Sequence, residues 1–355
     1  MQISVPDFVF QTHLFIALFS LALLISLRRR TAGDIGPKTT QELKGFAIIA
    51  ILIAHVGYYL SRDTQFLFPY SVLAGVSVDL FLFLSGFGLA VSAFAKELAP
   101  TPFYKRRLVK IFIPLWTTLA LFFLLDFLIL DINYDFFYLV KSFAGIYTSA
   151  DIFSDINSPL WYITLILFYY LVFPFIFSRT YPYFSAAALY ALTFGILWWN
   201  PEVLSHMLPL YEVHLLAFPL GIAAAALVRN TKRLPEIRPR VLYYSILATL
   251  AFTVAYFAIN SGVGKDHWAA EGISILTMFL ILAFFVLKHF EVCIFSLFGA
   301  VSFEIYLLHW PILYRYDILF KYLPAGIAML LYLVLFLAIG WGLQKVIQRI
   351  DTRHL

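Results

Sequence analysis

Residues 43–55 read LKGFAIIAILIAH: a lysine near the start, ten residues without charge, and then a histidine. In a helix, the eleven steps from Lys44 to His55 turn through about 1100°, roughly 20° more than three full turns, so both side chains lie on one face. Their separation along the axis is about 16 Å, roughly half of a bilayer core of about 30 Å. The stretch therefore predicts a membrane-spanning helix with a cation at its mouth and an imidazole deep inside.

The composition of the whole chain agrees with a membrane protein. Of its 355 residues, 62% are hydrophobic and only 13% are charged, and the mean hydropathy is +0.88. Average soluble proteins are about 25% charged, so a globule of this composition could not cover its surface with polar groups. Soluble, disordered, fibrous and disulfide-scaffold classes are therefore excluded. The single cysteine, Cys293, allows neither an internal disulfide nor a cysteine-based zinc site, and we expect no metal.

A helix needs about 20 apolar residues to cross the bilayer core, and eleven windows of that kind occur along the chain. We therefore predict an all-α polytopic membrane protein with about eleven transmembrane helices. The windows are 8–27, 43–60, 70–94, 108–130, 159–178, 183–200, 211–228, 241–259, 270–288, 292–314 and 325–346.

The positions of Lys and Arg orient these spans. Placing the triplet Arg28, Arg29 and Arg30 in the cytoplasm puts the N-terminus outside and, after eleven crossings, the C-terminus in the cytoplasm. With this orientation, 20 of the 25 Lys and Arg residues fall in inner segments and 5 in outer ones, as the positive-inside rule requires. The net charge of +5 is thus explained by topology, and we expect no nucleic-acid partner.

The first span, 8–27, and the longest outer loop, 131–158, each allow a separate prediction. In 8–27 the basic triplet follows the apolar stretch and no small-residue cleavage site is evident, so we expect a retained helix and not a signal peptide. The longest outer loop, 131–158, contains four aspartates, several aromatic residues and Asn157. It is either a cover or ligand contact at the outer face, or an ordinary solvated loop.

Ionisable residues inside spans are the candidates for function, because each costs about 2.5–3.5 kcal/mol or more at a helix centre. Each also has an ordinary structural interpretation, such as a lysine that reaches the interface or a histidine satisfied by a neighbouring helix. His214 is expected to be a packing or interface residue, and Asp126 is expected to lie in water near the outer end of its span. The set is Lys44, His55, Asp79, Asp126, His214, Glu304 and His309.

Asp79 lies among small residues in GVSVDLFLFLSGFG, on the span after His55. Small residues let helices approach closely, so Asp79 is predicted to reach His55, fix its tautomer and raise its basicity. The alternative is a neutral, buried carboxylic acid that joins helices. Near the end of the chain, Glu304 and His309 are five steps apart, about 140° around a helix, so they do not share a face.

The segment FYKRRLVKIFIP, 103–114, crowds four cations at the entrance of a span. Together with a helix N-terminus they could hold a multiply phosphorylated ligand, although positive-inside anchoring explains the same residues. The sequence has no GxSxG elbow, Walker loop, HExxH pair or dinucleotide fingerprint in a suitable context. A hydrolase, ATPase, zincin or Rossmann enzyme is therefore not expected.

Taken in order, these motifs resemble the acyltransferase-3 family of integral membrane acyltransferases over roughly residues 40–345. The resemblance is carried by the cation and histidine of 44–55, VDLF…LSGF, the basic entry ending in IxP, LW…FYY…FP, and SFEIYLLHWP. It implies a ten-helix core with both ends in the cytoplasm. Residues 1–30 would then be an additional N-terminal transmembrane helix, and 31–355 the acyltransferase-like domain.

The resemblance also implies an activity: transfer of an acyl group, usually acetyl, from cytoplasmic acyl-CoA to a hydroxyl of a cell-surface or exported glycan or glycolipid. Acyl-CoA would be a substrate, with no permanently bound cofactor. The bacterial inner membrane is the expected location, and a homo-oligomer is left open. By position, the family's functional residues fall on His55 and Asp79 for catalysis. They fall on Lys44, Arg106, Arg107 and Lys110 for acyl-CoA binding.

Two departures from the family pattern matter. Lys44 stands where arginine is commoner, and its compact charge grips phosphate less specifically than a bidentate guanidinium. Many members have a glutamate a few residues after the tryptophan of the LW segment, whereas Trp161 is followed by Tyr162 and then Ile163 to Ile166 without one. The missing glutamate counts against an acceptor role for this helix. The candidates for an acceptor site or cavity are Trp161, Glu304 and His309.

The chemistry of acyl transfer needs a base, aligned reactants and stabilisation of the oxyanion. We predict His55 as the general base. The main alternative is a transporter or flippase for a polysaccharide or lipid-linked glycan, since polytopic bundles with a few buried ionisable residues describe both classes. A receptor or scaffold is a third alternative, and it leaves the spacing of Lys44 and His55 unexplained.

Overall fold

A computed structural model describes residues 3–30, 35–60, 65–152, 154–230, 240–260 and 267–351. Six of the cations counted for topology lie outside the described residues: Arg62, Lys232, Arg233, Arg238, Lys265 and Arg353. The described chain is mainly helical, as predicted. Its helices are α1 Phe8–Ile25, α2 Pro37–Ala54, α3 Ala74–Ala95, α4 Pro100–Leu130, α5 Phe136–Ala144, α6 Trp161–Ile176, α7 Pro182–Trp199, α8 Leu208–Glu212, α9 Ala217–Asn230, α10 Arg240–Asn260, α11 His267–Leu287, α12 Cys293–Ala300, α13 Ser302–Tyr314 and α14 Ala325–Asp351.

Helix occupies each of the eleven predicted windows, but not every helix is an uninterrupted span. Among the described residues, eight helices are long and apolar enough to cross a membrane, or nine if one bent pair is counted as a span. That pair is α12 and α13, where we predicted one continuous helix over 292–314. The chain leaves helical geometry at Val301 (φ −125°, ψ 23°), and the two halves meet at 80°. The number of spans and their orientation stay predictions.

Glycines allow two pairs of helices to pack backbone against backbone. A Cβ on Gly45 of α2 would lie 1.7 Å from the carbonyl oxygen of Phe295 on α12. A Cβ on Gly86 of α3 would lie 2.2 Å from the carbonyl oxygen of Phe218 on α9. No side chain fits at such distances, so the small residues fix α2 on α12 and α3 on α9.

The N-terminal helix is joined to the rest of the bundle at two places. α1 packs on α14, and the Gly326 N–H donates to Gln11 Oε1 at 3.0 Å. Directly after α1, β1 Leu27–Arg29 pairs antiparallel with β2 Phe290–Val292, two short strands that we had not predicted.

Glu42 lies beside this strand pair and is completely buried. It accepts hydrogen bonds from Lys288, from Arg30 at 3.5 Å and from the Val292 N–H at 2.7 Å. One carboxylate therefore joins the start of α2 to the segments that follow α1 and α11.

The expectation that Asp126 lies in water is wrong. Its side chain is completely buried near the end of α4 and accepts hydrogen bonds from Arg315, Tyr134 and Tyr316, the last at 2.5 Å. Arg315 also donates to the backbone carbonyl of Asp155 at 2.8 Å. The 131–158 loop is thereby fixed to the end of α13. Sequence could not show this, because Arg315 is 189 residues away from its partner.

Candidate active site

The centre of the candidate site is a pair of histidines, one directly after α2 and one in α13. His55 Nδ1 lies 2.7 Å from His309 Nε2, and the two rings stack with centroids 4.9 Å apart and an interplanar angle of 8°. His309 is completely buried, and His55 is partly buried. Trp310 meets the His55 ring edge-on at 5.2 Å. Two helices far apart in sequence thus place two imidazoles in direct contact within the bundle.

Local structure explains why His55 is presented here. α2 is continuous from Pro37 to Ala54, so uninterrupted helix connects Lys44 to His55, as their spacing predicts. At His55 the helix widens into a π-helical segment, His55–Leu60. Such segments interrupt the regular ladder and occur frequently at functional sites. The histidine therefore lies where the backbone pattern changes.

Pro311 explains how α13 is held next to His55. Pro311 has no N–H, so the carbonyl of Leu307 has no helical donor four residues later. Asn157, from the 131–158 loop, donates its Nδ2 to that carbonyl at 2.8 Å. The Tyr306 hydroxyl donates in turn to the Pro159 carbonyl at 2.6 Å. The loop thus packs against the part of α13 that carries His309.

The structure does not bring Asp79 to His55 as we predicted. Asp79 is completely buried, its Oδ1 lies 2.7 Å from His214 Nδ1, and its Oδ2 accepts from the Ser274 hydroxyl. α3, α11 and the turn between α8 and α9 meet at this carboxylate. His214, expected to be a packing residue, is the histidine that Asp79 orients, and His309 takes the place beside His55.

Of the remaining candidates, Trp161 joins the Asp79 group, and Glu304 belongs to neither group. Trp161 begins α6 and stacks on His214, with centroids 5.8 Å apart and an angle of 16°, so it belongs with Asp79. Glu304 interacts with Gln344 of α14. Glu304 and His309 thus have different partners, in agreement with their 140° separation on a helical wheel.

The basic residues form a cavity at the start of α4. Its volume is about 250 Å³, and its lining includes the cations Lys96, Arg106, Arg107 and Lys110. Lys44 is exposed, does not line this cavity, and is within electrostatic range of Arg107 and Lys110. The predicted cationic mouth is therefore present as a cluster, with Lys44 at its margin. His55 does not line this cavity either.

Sequence reasoning did not find the roles of two residues. His214 was a candidate as an ionisable residue within a span, but the sequence does not show its partner, because Asp79 is 135 residues away. Arg315 was counted only as an outer-loop charge. The one available indication was that both lie beside span ends rich in aromatic residues, which does not distinguish a buried charge from an interfacial anchor.

Comparison with known proteins identifies one family. The family model described as an acyltransferase domain, acyltransferase type 3, matches residues 43–345. No curated protein and no solved structure matches the chain. The match begins one residue before Lys44 and includes both histidines of the pair.

Proposed function

Since the chain belongs to the acyltransferase-3 family, whose domain covers residues 43–345, it is a membrane acyltransferase, and we propose that it is an acyl-CoA-dependent O-acyltransferase. The donor is acyl-CoA from the cytoplasm, with acetyl as the acyl group. The acceptor is a hydroxyl of a glycan or glycolipid of the cell surface, and the enzyme lies in a bacterial inner membrane. The observation that carries the proposal is the contact of 2.7 Å between His55 Nδ1 and His309 Nε2. His55 directly follows α2, the helix that also carries Lys44.

In the proposed reaction, His55 accepts the proton of the acceptor hydroxyl as its oxygen attacks the thioester carbonyl. The C–S bond then breaks, and the imidazolium returns the proton to the CoA thiolate. The products are an ester and free CoA, so no net proton is taken up or released. General-base catalysis of this kind contributes about 10²–10⁴-fold to the rate.

The basic cluster supplies the donor end. Arg106, Arg107 and Lys110 would contact the CoA phosphates, with Lys44 beside them. The cavity of about 250 Å³ is smaller than typical pockets for whole drug-sized ligands, about 300–1,000 Å³, so it suits the phosphate portion of CoA and not the entire molecule. The pantetheine arm would follow α2 over the roughly 16 Å from Lys44 to His55.

The test uses purified protein in liposomes, with [¹⁴C]acetyl-CoA as donor and membrane glycans extracted from the host as acceptor. His55→Ala is expected to lower free-thiol release and acceptor labelling by about 10²-fold or more, with unchanged acetyl-CoA affinity. His13→Ala is the matched control, because His13 is an exposed histidine on α1. Unchanged turnover in His55→Ala would remove His55 from the chemistry.

Lys44→Ala tests the donor end separately. Because Lys44 is assigned to phosphate binding, weaker acetyl-CoA binding with little loss of kcat is expected. Wild-type affinity combined with lost turnover would assign Lys44 a different role.

A glycan transporter is the second candidate, and one observation favours it. The 80° bend between α12 and α13 has the geometry of a broken span or a re-entrant loop, and transporters place broken spans at their binding sites. The same liposomes distinguish the two functions. Movement of the extracted glycan across the bilayer without acetyl-CoA would support transport, whereas labelling that depends on acetyl-CoA supports the transferase.

A further inference from the structure

We infer that His309 is a positioning residue that holds His55 in the tautomer with hydrogen on Nδ1, so that Nε2 is the atom that accepts the proton. This inference rests on the proposed function, since it specifies how the base of that reaction is prepared. It is carried by the hydrogen bonds of the two rings.

The direction of the hydrogen bonds is set by the backbone of α13. His309 Nδ1 lies 2.8 Å from the Tyr306 carbonyl oxygen and 3.2 Å from that of Ile305. A carbonyl oxygen only accepts, so His309 Nδ1 must carry a hydrogen. A neutral imidazole has one donor and one acceptor nitrogen, and His309 Nε2 is therefore the acceptor.

The same reasoning fixes the position of the hydrogen on the His55 ring. His55 Nδ1 lies 2.7 Å from His309 Nε2. Because His309 Nε2 is the acceptor at this hydrogen-bond distance, His55 Nδ1 must be the donor. His55 therefore carries its hydrogen on Nδ1, and its lone pair is on Nε2. Two neutral rings satisfy every one of these bonds, and since His309 is completely buried, ionising it would cost additional free energy.

The backbone carbonyls that orient His309 are themselves fixed. Tyr306 donates its hydroxyl to Pro159, and Asn157 binds the Leu307 carbonyl one residue further on. This part of α13 therefore cannot rotate without breaking contacts with the 131–158 loop. A geometry held in this way is what a preorganised base needs.

The arrangement has a consequence for the charged intermediate. When His55 Nε2 accepts the acceptor's proton, His55 becomes an imidazolium whose Nδ1–H still donates to neutral His309. A neutral ring takes the place of the carboxylate found in other histidine-based relays. After the C–S bond breaks, the proton leaves Nε2 for the thiolate, and both rings return to their starting state.

Two substitutions separate positioning from packing. His309→Leu removes the acceptor, and kcat is expected to fall by about 10²-fold or more with KM for acetyl-CoA within about twofold of wild type. His309→Gln restores an acceptor through its amide oxygen, and kcat is expected to stay at least about tenfold above that of His309→Leu. Equal losses in both variants, or wild-type kcat in His309→Leu, would overturn the inference.

A measurement on the unaltered protein does not depend on how the variants fold. In protein labelled with [¹⁵N]histidine, nitrogen NMR distinguishes protonated from unprotonated ring nitrogens, and His55 is assigned from the signals missing in His55→Ala. We expect the hydrogen of His55 on Nδ1, and a spectrum with it on Nε2 would contradict the inference. If His55→Ala keeps full activity, the proposed function fails. If His55→Ala is inactive but His309→Leu is not, only the role of His309 fails.

Discussion

Arg315→Met is expected to destabilise the end of the bundle that carries the 131–158 loop. Arg315 is 7% exposed at its side chain and donates to Asp126, which is completely buried. The substitution keeps an apolar stem of similar length but removes the charge. Asp126 would then be a buried carboxylate without its cation, and the Asp155 carbonyl would lose its donor at 2.8 Å.

The magnitude follows from the burial of both groups. Removing one member of a buried ion pair costs about 3–5 kcal/mol, because the remaining charge is uncompensated. Arg315→Lys keeps the charge but not the second donor, and we expect a smaller loss of about 1–2 kcal/mol. Removing both charges in Asp126→Leu/Arg315→Met is expected to recover at least about 1 kcal/mol relative to the sum of the single changes.

The free energy of unfolding is measured in detergent micelles by titration with a denaturing detergent, with helix content as the signal. Lys321→Met is the matched control, because Lys321 is exposed and its loss should change stability by no more than about 0.5 kcal/mol. Limited proteolysis reports on the 131–158 loop separately. If Arg315→Met is as stable as Lys321→Met, the buried ion pair does not hold this region.

Two further outcomes follow from packing and from titration. Gly45→Ala is expected to lose at least about 1–3 kcal/mol of stability or fail to fold, since its Cβ would lie 1.7 Å from the Phe295 carbonyl oxygen. Gly88→Ala is the control and should fold normally, because a Cβ at Gly88 meets no atom within 4 Å. Equal thermal stability of the two variants would refute the close packing of α2 on α12. Burial raises the pKa of Tyr138 above its usual value of about 10. The stability that the protonated hydroxyl contributes is therefore complete below pH 10 and is lost as the pH rises further. Tyr138→Phe should flatten the decline of the free energy of unfolding above pH 10, and an unchanged pH profile would contradict this.

The fold was largely predictable because apolar length is a local property. The uncharged run from Gly45 to Ala54 is helical in the structure, and every other predicted window contains helix, although 211–228 and 292–314 are each divided into two helices. The 80° break at Val301 was not predictable from hydropathy, because an apolar stretch has the same composition whether it is straight or bent. The proline at 311 marks a place where α13 needs an outside donor, but not which residue supplies it.

The site was predictable residue by residue but not pair by pair. His55 and His309 were both singled out as ionisable groups in spans, while the pairing of Asp79 with His55 was wrong. Helix periodicity specifies which face of a helix a side chain occupies, and contacts between helices depend on how the helices are arranged around one another. Asp79 lies on the helix after His55, yet its partners come from His214 and Ser274, much later in the chain.

The carboxylate of Glu42 connects the strand pair after α1 to the start of α2. Glu42 precedes Lys44 by two residues, and it receives Arg30 from one side and Lys288 from the other. Any displacement of the first helix relative to α14 would be transmitted through Arg30 to the opening turns of α2. The first helix is thus coupled mechanically to the start of α2, so a change in lipid thickness that tilts α1 should also displace the region that we propose to bind acyl-CoA.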